Sequence, residues 1–228
     1  MKVKGKIIAF FVIVLSILLI FGVLSFVLDN TGKVNQGNFR VVDMVVTSGI
    51  DVIDNSESEL EKISDISFSL SQNNKISMLL SKSDNVDKIY IDNIKLKDPE
   101  KKGDVYISQS SVEGKRKIEG NMDEIILNPI DKDNGSLIEI NINNEYFAQN
   151  LNVPDSKNEL SFDGKILNDF GININDIEFT VSFDLKIKER NGTINVCKLE
   201  YNFPDPRIVT QGTVIERKNL ESVNFKIQ

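Results

Sequence analysis

"IEFTVSFDLKIK", at residues 177–188, alternates apolar and polar side chains without interruption. Every odd position from Ile177 to Ile187 is apolar, and every even position from Glu178 to Lys188 is polar or charged. Successive side chains of a β-strand point to opposite faces, whereas those of a helix repeat every 3.6 residues. The stretch therefore predicts a long strand with one buried face and one solvated face.

The residues after this strand predict a β-hairpin. Asn191-Gly192 is the pair most typical of a two-residue hairpin turn. Such a turn places Ile187 opposite Val196, but the apolar positions of the returning strand change from even to odd at Cys197. One extra residue near Val196-Cys197 restores the pairing of apolar residues. The sequence therefore predicts a β-bulge there, with Cys197 as a small apolar residue beside it.

Residues 65–80 show the same alternation in two parts, separated by Asn73-Asn74. This pattern predicts a second hairpin with its turn at the two asparagines. A helix beginning near residue 60 is the alternative, and the serines between the apolar residues disfavour it. Residues 39–53 fit either a helix or a strand, since their apolar residues have helical spacing but are mostly β-branched.

Other short elements continue the pattern. A capping box at 56–59 predicts a short helix within 55–62. Strands are predicted at 88–91, 94–97, 104–108, 124–127, 137–142 and 223–227. The fold class that follows is mainly β: residues 39–228 form an antiparallel β-sandwich-like domain, as one or two sandwiches with a subdivision point near 110–122.

A transmembrane helix is predicted at residues 7–28, IIAFFVIVLSILLIFGVLSFVL, which contain no charged residue. A helix of this length spans roughly 33 Å and can cross a ~30 Å hydrocarbon layer. Lysines stand at positions 2, 4 and 6, so the positive-inside rule makes residues 1–6 a cytoplasmic tip. Residues 29–38, which are polar and contain two glycines, predict a flexible stalk.

These features predict a protein of the cell membrane with its N-terminus in the cytoplasm and its C-terminal domain outside the cytoplasm. A cleaved signal peptide and a buried core helix are the alternatives. The apolar run exceeds the 7–15 residues typical of a signal peptide, which favours an anchor that stays in the membrane.

The first residues also resemble the start of type IV pilins. Lys4-Gly5 followed by an apolar run resembles the short basic leader of that family, which ends in glycine. Lys6 and Phe10 stand where the family has an apolar residue and a glutamate. The resemblance implies processing after Gly5 and a role as a pilin-like or secretion-apparatus subunit.

Composition excludes several classes of function. Behind the apolar run, 24 basic residues face 34 acidic ones, because three of the 27 basic residues precede it. This acidic balance disfavours nucleic acid as a partner. Histidine is absent, which removes the commonest general base and most zinc sites. Tryptophan is also absent, which disfavours carbohydrate binding by ring stacking, although four tyrosines remain, Tyr90, Tyr106, Tyr146 and Tyr201. Abundant Asn, Ile and Lys favour an A+T-rich bacterial source.

Two sets of acidic residues can be compared with known kinds of site, a calcium loop and a pair of catalytic carboxylates. Asp131 to Gly135, DKDNG, is similar to the start of a calcium loop, but the spacing is not that of an EF-hand, and an ordinary turn is the alternative. Asp169 and Asp176 could form a carboxylate pair of the kind that glycosidases use, although nothing singles them out. The sequence therefore predicts no catalytic, cofactor-binding or metal-ligating residues, and no cofactor.

The function predicted from the sequence is that of a non-enzymatic envelope protein. A single-pass helix would hold a β domain at the outer face of the membrane, where the domain contacts another envelope protein or a wall polymer. The alternatives are the pilin-like subunit and a calcium- or ligand-binding extracytoplasmic sensor module.

Overall fold

The computed structural model describes residues 39–55, 67–81, 83–97, 103–110, 114–120, 122–153, 159–220 and 223–228. No helix within these ranges is long and apolar enough to cross a bilayer. The predicted transmembrane helix at 7–28, the stalk at 29–38 and most of the predicted helix at 55–62 lie outside the described residues.

Two antiparallel sheets make up most of the described chain. The strands are β1 (Val41–Asp54), β2 (Ser67–Ser81), β3 (Val86–Lys97), β4 (Asp104–Gln109), β5 (Arg116–Lys117), β6 (Ile125–Leu127), β7 (Ile130–Lys132), β8 (Gly135–Asn152), β9 (Phe179–Glu189), β10 (Ile194–Phe203), β11 (Val214–Arg217) and β12 (Lys226–Ile227). The larger sheet has the strand order β11-β1-β2-β8-β4-β5, with β7 also paired to β8, and the smaller has the order β12-β10-β9-β3-β6.

The two sheets pack their apolar faces on one shared core. Residues of β1, β2, β4 and β8 in the larger sheet belong to the same buried cluster as residues of β3, β9 and β10 in the smaller one. Burying these aliphatic and aromatic side chains is the main stabilising term, at about 25 cal/mol per Å² of apolar surface. The prediction of a mainly β, antiparallel chain is confirmed, and so is the alternation in β9, whose odd residues are buried.

The predicted bulge in the β9–β10 hairpin is wrong. Leu185 pairs with Cys197 and Phe183 with Leu199, in a register that runs without a shift from Ile194 to Phe203. The turn has three residues, 190–192, instead of two. The Glu189 amide donates to the Thr193 carbonyl at 2.8 Å, so these two residues flank the turn. Gly192 closes this turn at φ 91°, a left-handed conformation that glycine adopts without steric cost.

A buried polar pair explains this register. Asn195 is fully buried and its amide donates to the Glu189 carboxylate at 2.8 Å. The second oxygen of Glu189 accepts from Asn85 at 2.6 Å. An inward-facing asparagine leaves Ile194 and Val196 on the outer face, where both are half-buried. The apolar residues at even positions therefore do not require an extra residue in the strand.

The predicted hairpin at 65–80 is also wrong, since β2 runs through Asn73-Asn74 as one continuous strand. Even-numbered residues on both sides of the asparagines face the interior. Asn74 is fully buried, and its amide donates to the Ile142 carbonyl at 3.0 Å on the neighbouring strand β8. That bond satisfies a polar side chain inside the sheet, so no turn is needed to expose it.

Other elements differ from expectation in extent. Of residues 39–53, open between helix and strand, all from Val41 onward belong to strand β1. The two strands predicted at 88–91 and 94–97 are one strand, β3, with a register shift between Asp92 and Lys95. The last strand is shorter than the predicted 223–227.

A small helical layer covers the part of the larger sheet that extends beyond the sandwich. It consists of α1 (Ile166–Asp169), a 3-10 turn (Ile174–Asp176) and α2 (Ile208–Gln211). Ile166, Leu167 and Ile208 pack with residues of β1, β2 and β8 in a second buried cluster. The long strands thus have two cores along their length.

Cys197 is 1% exposed and lies in the sandwich core. Burial, together with the charge of Asp184, raises the pKa of this thiol to about 11. At pH 8 only about one thiol in 1,000 is then ionised, against about a quarter for an exposed cysteine. We expect the native chain to react with a thiol reagent such as DTNB only slowly, and the urea-unfolded chain to react at once. Equal rates for the two states would contradict the burial of Cys197.

Candidate functional site

The four tyrosines occupy different environments. Tyr201 belongs to the core, where its hydroxyl donates to the Met44 sulfur at 3.0 Å. Tyr90 is 8% exposed beneath Lys88, whose ammonium lies 4.7 Å from the ring centroid. Tyr106 and Tyr146 instead lie on the outer side of the larger sheet, on the paired strands β4 and β8. We call the group formed by Tyr106, Lys115, Asn143, Glu145 and Tyr146 the tyrosine site.

A bulge in β8 exposes Tyr146. Leu70 pairs with Ala148 and Gln72 with Asn144, so three residues of β8 stand opposite the single residue Ser71. Tyr146 takes a φ of 52°, which is rare for a residue with a bulky side chain. Its backbone amide donates to the Ser71 hydroxyl at 3.0 Å, and its side chain is 48% exposed.

The bulge also separates two adjacent aromatic residues. Phe147 is 4% exposed and packs in the second core, while Tyr146 faces solvent. Backbone strain of this kind costs of order 1–3 kcal/mol and is concentrated at binding and catalytic sites. The strained conformation of Tyr146 is therefore the first indication that this surface has a function.

Lys115 connects the two tyrosines. Its ammonium lies 4.5 Å from the centroid of the Tyr106 ring and forms an ion pair with Glu145. The hydrogen bond to Glu145 is the main cause that raises the pKa of Lys115, and the phenols of Tyr106 and Tyr146 add to it. The lysine therefore stays cationic at physiological pH, and its partners hold it in place.

The polar surface continues across the sheet from the tyrosine site. Asn143 pairs with Tyr106 on one side and with Asn73 on the other. The Ser110 hydroxyl donates to Asn141 at 3.4 Å, and Lys75 forms an ion pair with Glu139 at 3.1 Å. Asn73 also lines a shallow depression of about 300 Å³ on this face. The depression is lined by Thr47, Gly49, Ile50, Asp51, Asn73, Lys75, Ser110, Asn141 and Thr213.

A lysine cleft of about 670 Å³ lies on the outer face of the smaller sheet. Lys186, Lys198 and Lys226 line it. Lys186 forms an ion pair with Asp92 at 2.7 Å, and Asp184 lies opposite Lys198 in the register. The carboxylates offset much of the positive charge, so this cleft is a weaker candidate for anion binding than its lysines alone indicate.

A second cleft of about 600 Å³ opens between the two sheets, beside β1 and β10. Its floor is formed by core residues such as Met44 and Tyr201, which are 1% and 9% exposed. On its rim, Arg207 forms ion pairs with Asp205 and Glu216, both at 2.6 Å. Four of the cleft's charged lining residues are already in ion pairs, Glu200, Asp205, Glu216 and Lys218.

Two of the acidic residues noted in the sequence, Asp133 and Asp169, lie in a turn and in a hydrogen bond to the backbone. Residues 133–134 form the turn of a hairpin in which Lys132 pairs with Gly135. Asp169 accepts a hydrogen bond from the Ser161 amide at 3.3 Å. In the part of the chain that the structure describes, no three His, Cys, Asp or Glu side chains come together as metal ligands.

No family model, curated protein or solved structure matches this chain at a significant level. The tyrosine site therefore has to be interpreted from its own geometry. It combines one exposed ring, a second ring that faces a fixed ammonium, a carboxylate and a side-chain amide. Such a set can stack on a flat ligand and exchange hydrogen bonds with it.

Proposed function

We propose that this protein is a single-pass membrane protein of the bacterial envelope. Its β-sandwich acts outside the cytoplasm, without catalysis, by binding a protein or a wall polymer at the tyrosine site. The proposal joins the anchor, the orientation and the stalk predicted from the sequence to the surface described above.

One observation carries the binding role. Tyr146 is an aromatic residue that the chain holds in a strained backbone conformation while leaving its ring in solvent. Folding alone favours the opposite arrangement, because burying a tyrosine ring lowers the free energy and relaxing the bulge removes the strain. A ligand that covers the ring supplies the interaction that a purely structural residue lacks.

The absence of histidine from the chain supports binding in preference to acid–base catalysis. The wet outer face of an antiparallel sheet also suits the role, because strands hold side chains in rows on a rigid surface. The predicted stalk would keep the start of the β domain, at residue 39, within about 35 Å of the membrane, the fully extended length of ten residues.

Site-specific photo-crosslinking tests this function. Tyr146 is replaced in the full chain by benzoylphenylalanine, which inserts into C–H bonds of proteins and glycans alike, and intact cells of the native host are irradiated. We expect an adduct in the membrane fraction that depends on irradiation. The matched control is the same replacement at Phe162, which is 67% exposed and lies outside the tyrosine site.

Two results would count against the function. Adducts of equal yield at 146 and 162 would mean that the tyrosine site has no special partner. Recovery of the chain in the cytosolic fraction would contradict the proposed anchor and orientation.

A further inference from the structure

We propose that the ligand of the tyrosine site is an uncharged glycan chain, with one sugar ring stacked on Tyr146 and its neighbours lying along the polar rows of the larger sheet. This inference rests on the proposed function and names the class of partner for the same surface.

The exposed ring of Tyr146 has the shape that a sugar ring stacks on. A pyranose ring carries polar hydroxyls at its rim and C–H groups on its faces, and those C–H groups pack on the electron-rich face of an aromatic ring. Tyr146, 48% exposed on an outward bulge, offers such a ring. The face of Tyr106 is already opposite the Lys115 ammonium at 4.5 Å, so Tyr146 is the stacking platform and Tyr106 orients the lysine.

The hydrogen-bonding groups around the ring match the hydroxyls of a sugar. Glu145 is an acceptor, Lys115 is a donor, and the Asn143 amide is both. Adjacent hydroxyls of a sugar both donate and accept, so a carboxylate, an ammonium and an amide beside a stacking ring are complementary to them. The Glu145–Lys115 ion pair fixes the two charged groups before the ligand arrives, which reduces the entropy lost on binding.

The surface that surrounds the site carries rows of polar side chains. The row Asn73–Asn143–Tyr106 crosses three strands, and the next row contains Lys75, Asn141 and Ser108. Neighbouring strands lie about 4.8 Å apart, so these rows present polar groups at intervals close to the length of one sugar unit. A protein partner would need an apolar centre within roughly 800 Å² of contact surface, and the described side chains around Tyr146 are mainly polar.

Charge selects an uncharged glycan over an anionic one. The residues behind the apolar run carry 34 acidic and 24 basic side chains, so a polyanion would be repelled at long range. At the site itself, the single ammonium of Lys115 is paired with Glu145. No cation remains unpaired within the tyrosine site as defined above, so an anionic sugar would gain little there.

The test uses the full chain in a detergent whose headgroup is not a sugar. Because the chain has no tryptophan, its fluorescence comes mainly from four tyrosines, and two of them, Tyr106 and Tyr146, belong to the tyrosine site. The probes are tetrasaccharides of β-1,4-linked N-acetylglucosamine and β-1,4-linked glucose, followed by an array of uncharged bacterial oligosaccharides. We expect saturable quenching or array binding by at least one of these glycans.

Variants then assign the binding to the ring. On the array, Tyr146→Ala should weaken binding about tenfold or more, since it removes the stacking surface, whereas Tyr146→Phe should retain affinity within about threefold. The array is used here because both substitutions remove the fluorescence of Tyr146. Phe162→Ala removes an exposed aromatic residue elsewhere and should leave binding unchanged. Circular dichroism of each variant checks that the fold persists.

The outcomes separate this inference from the proposed function. If no uncharged glycan binds, or if Tyr146→Ala binds as well as the original chain, the glycan inference is overturned. A protein adduct at position 146 with no glycan binding would leave the proposed function standing and this inference wrong. No adduct and no glycan binding would overturn both.

Discussion

Phe183→Ala is expected to lower the free energy of unfolding by about 3–5 kcal/mol, since it removes a ring from a core that cannot close around the cavity. Phe183 lies in the middle of β9, is 2% exposed and has its ring centroid 6.3 Å from that of Tyr201. Its strand pairs with β3 on one side and β10 on the other, so neither neighbour can move in to fill the space. Urea unfolding of the full chain, followed by far-UV circular dichroism, measures the loss.

Ser182→Ala is the matched control for this prediction. Ser182 precedes Phe183 in the same strand and faces outward, where a small polar side chain contributes little. We expect its free energy of unfolding to stay within about 0.5 kcal/mol of the original. A similar loss of unfolding free energy in both variants would contradict the placement of Phe183 in the core and Ser182 on the outer face of β9.

The alternation of β9 is predictable because it is a local property. Each inward residue of a strand has its outward neighbour next to it in sequence, so twelve residues are enough to show the period. The same holds for the inward residues of β2, whose alternation is visible in the sequence on either side of the asparagines. Strand identity and burial can therefore be predicted where one face is apolar throughout.

The hairpin register could not be predicted because it depends on a polar contact. Asn195 faces inward only because Glu189 accepts its hydrogen bond inside the sandwich. A buried asparagine has no signature in a pattern based on hydrophobicity, and Asn-Gly suggests the shorter turn. Asn74 in β2 is the same case, since the Ile142 carbonyl on another strand satisfies its amide.

The tyrosine site could not be predicted from the sequence for a related reason. Tyr106 and Tyr146 come from strands β4 and β8, and only the pairing of those strands brings them to one surface. One signal was present: Tyr146 and Phe147 are adjacent aromatic residues after a regular alternation, which indicates a bulge that separates them. The partner that stabilises the bulge, Ser71, lies 75 positions away and could not be inferred.

Gly135→Ala is expected to destabilise the chain by about 1–3 kcal/mol, although alanine usually strengthens a strand. Gly135 begins β8 and pairs with Ser81 of β2. A Cβ at this position would overlap the carbonyl oxygen of Leu80 and would lie 3.2 Å from its carbonyl carbon. Both atoms belong to the backbone of the neighbouring strand, so the overlap can be relieved only by separating β2 from β8.

Gly49→Ala is the matched control, because Gly49 also lies in a strand of the same sheet. A Cβ there would be 3.5 Å from the nearest atom, the Thr213 hydroxyl oxygen, which is an ordinary contact. This variant should gain about 0.5–1 kcal/mol, since alanine loses less backbone entropy on folding than glycine. Thermal and urea unfolding of the two variants should therefore shift in opposite directions. A shift in the same direction would mean that β2 and β8 do not approach as closely at Gly135 as the structure describes, and that the register next to the 133–134 turn is different.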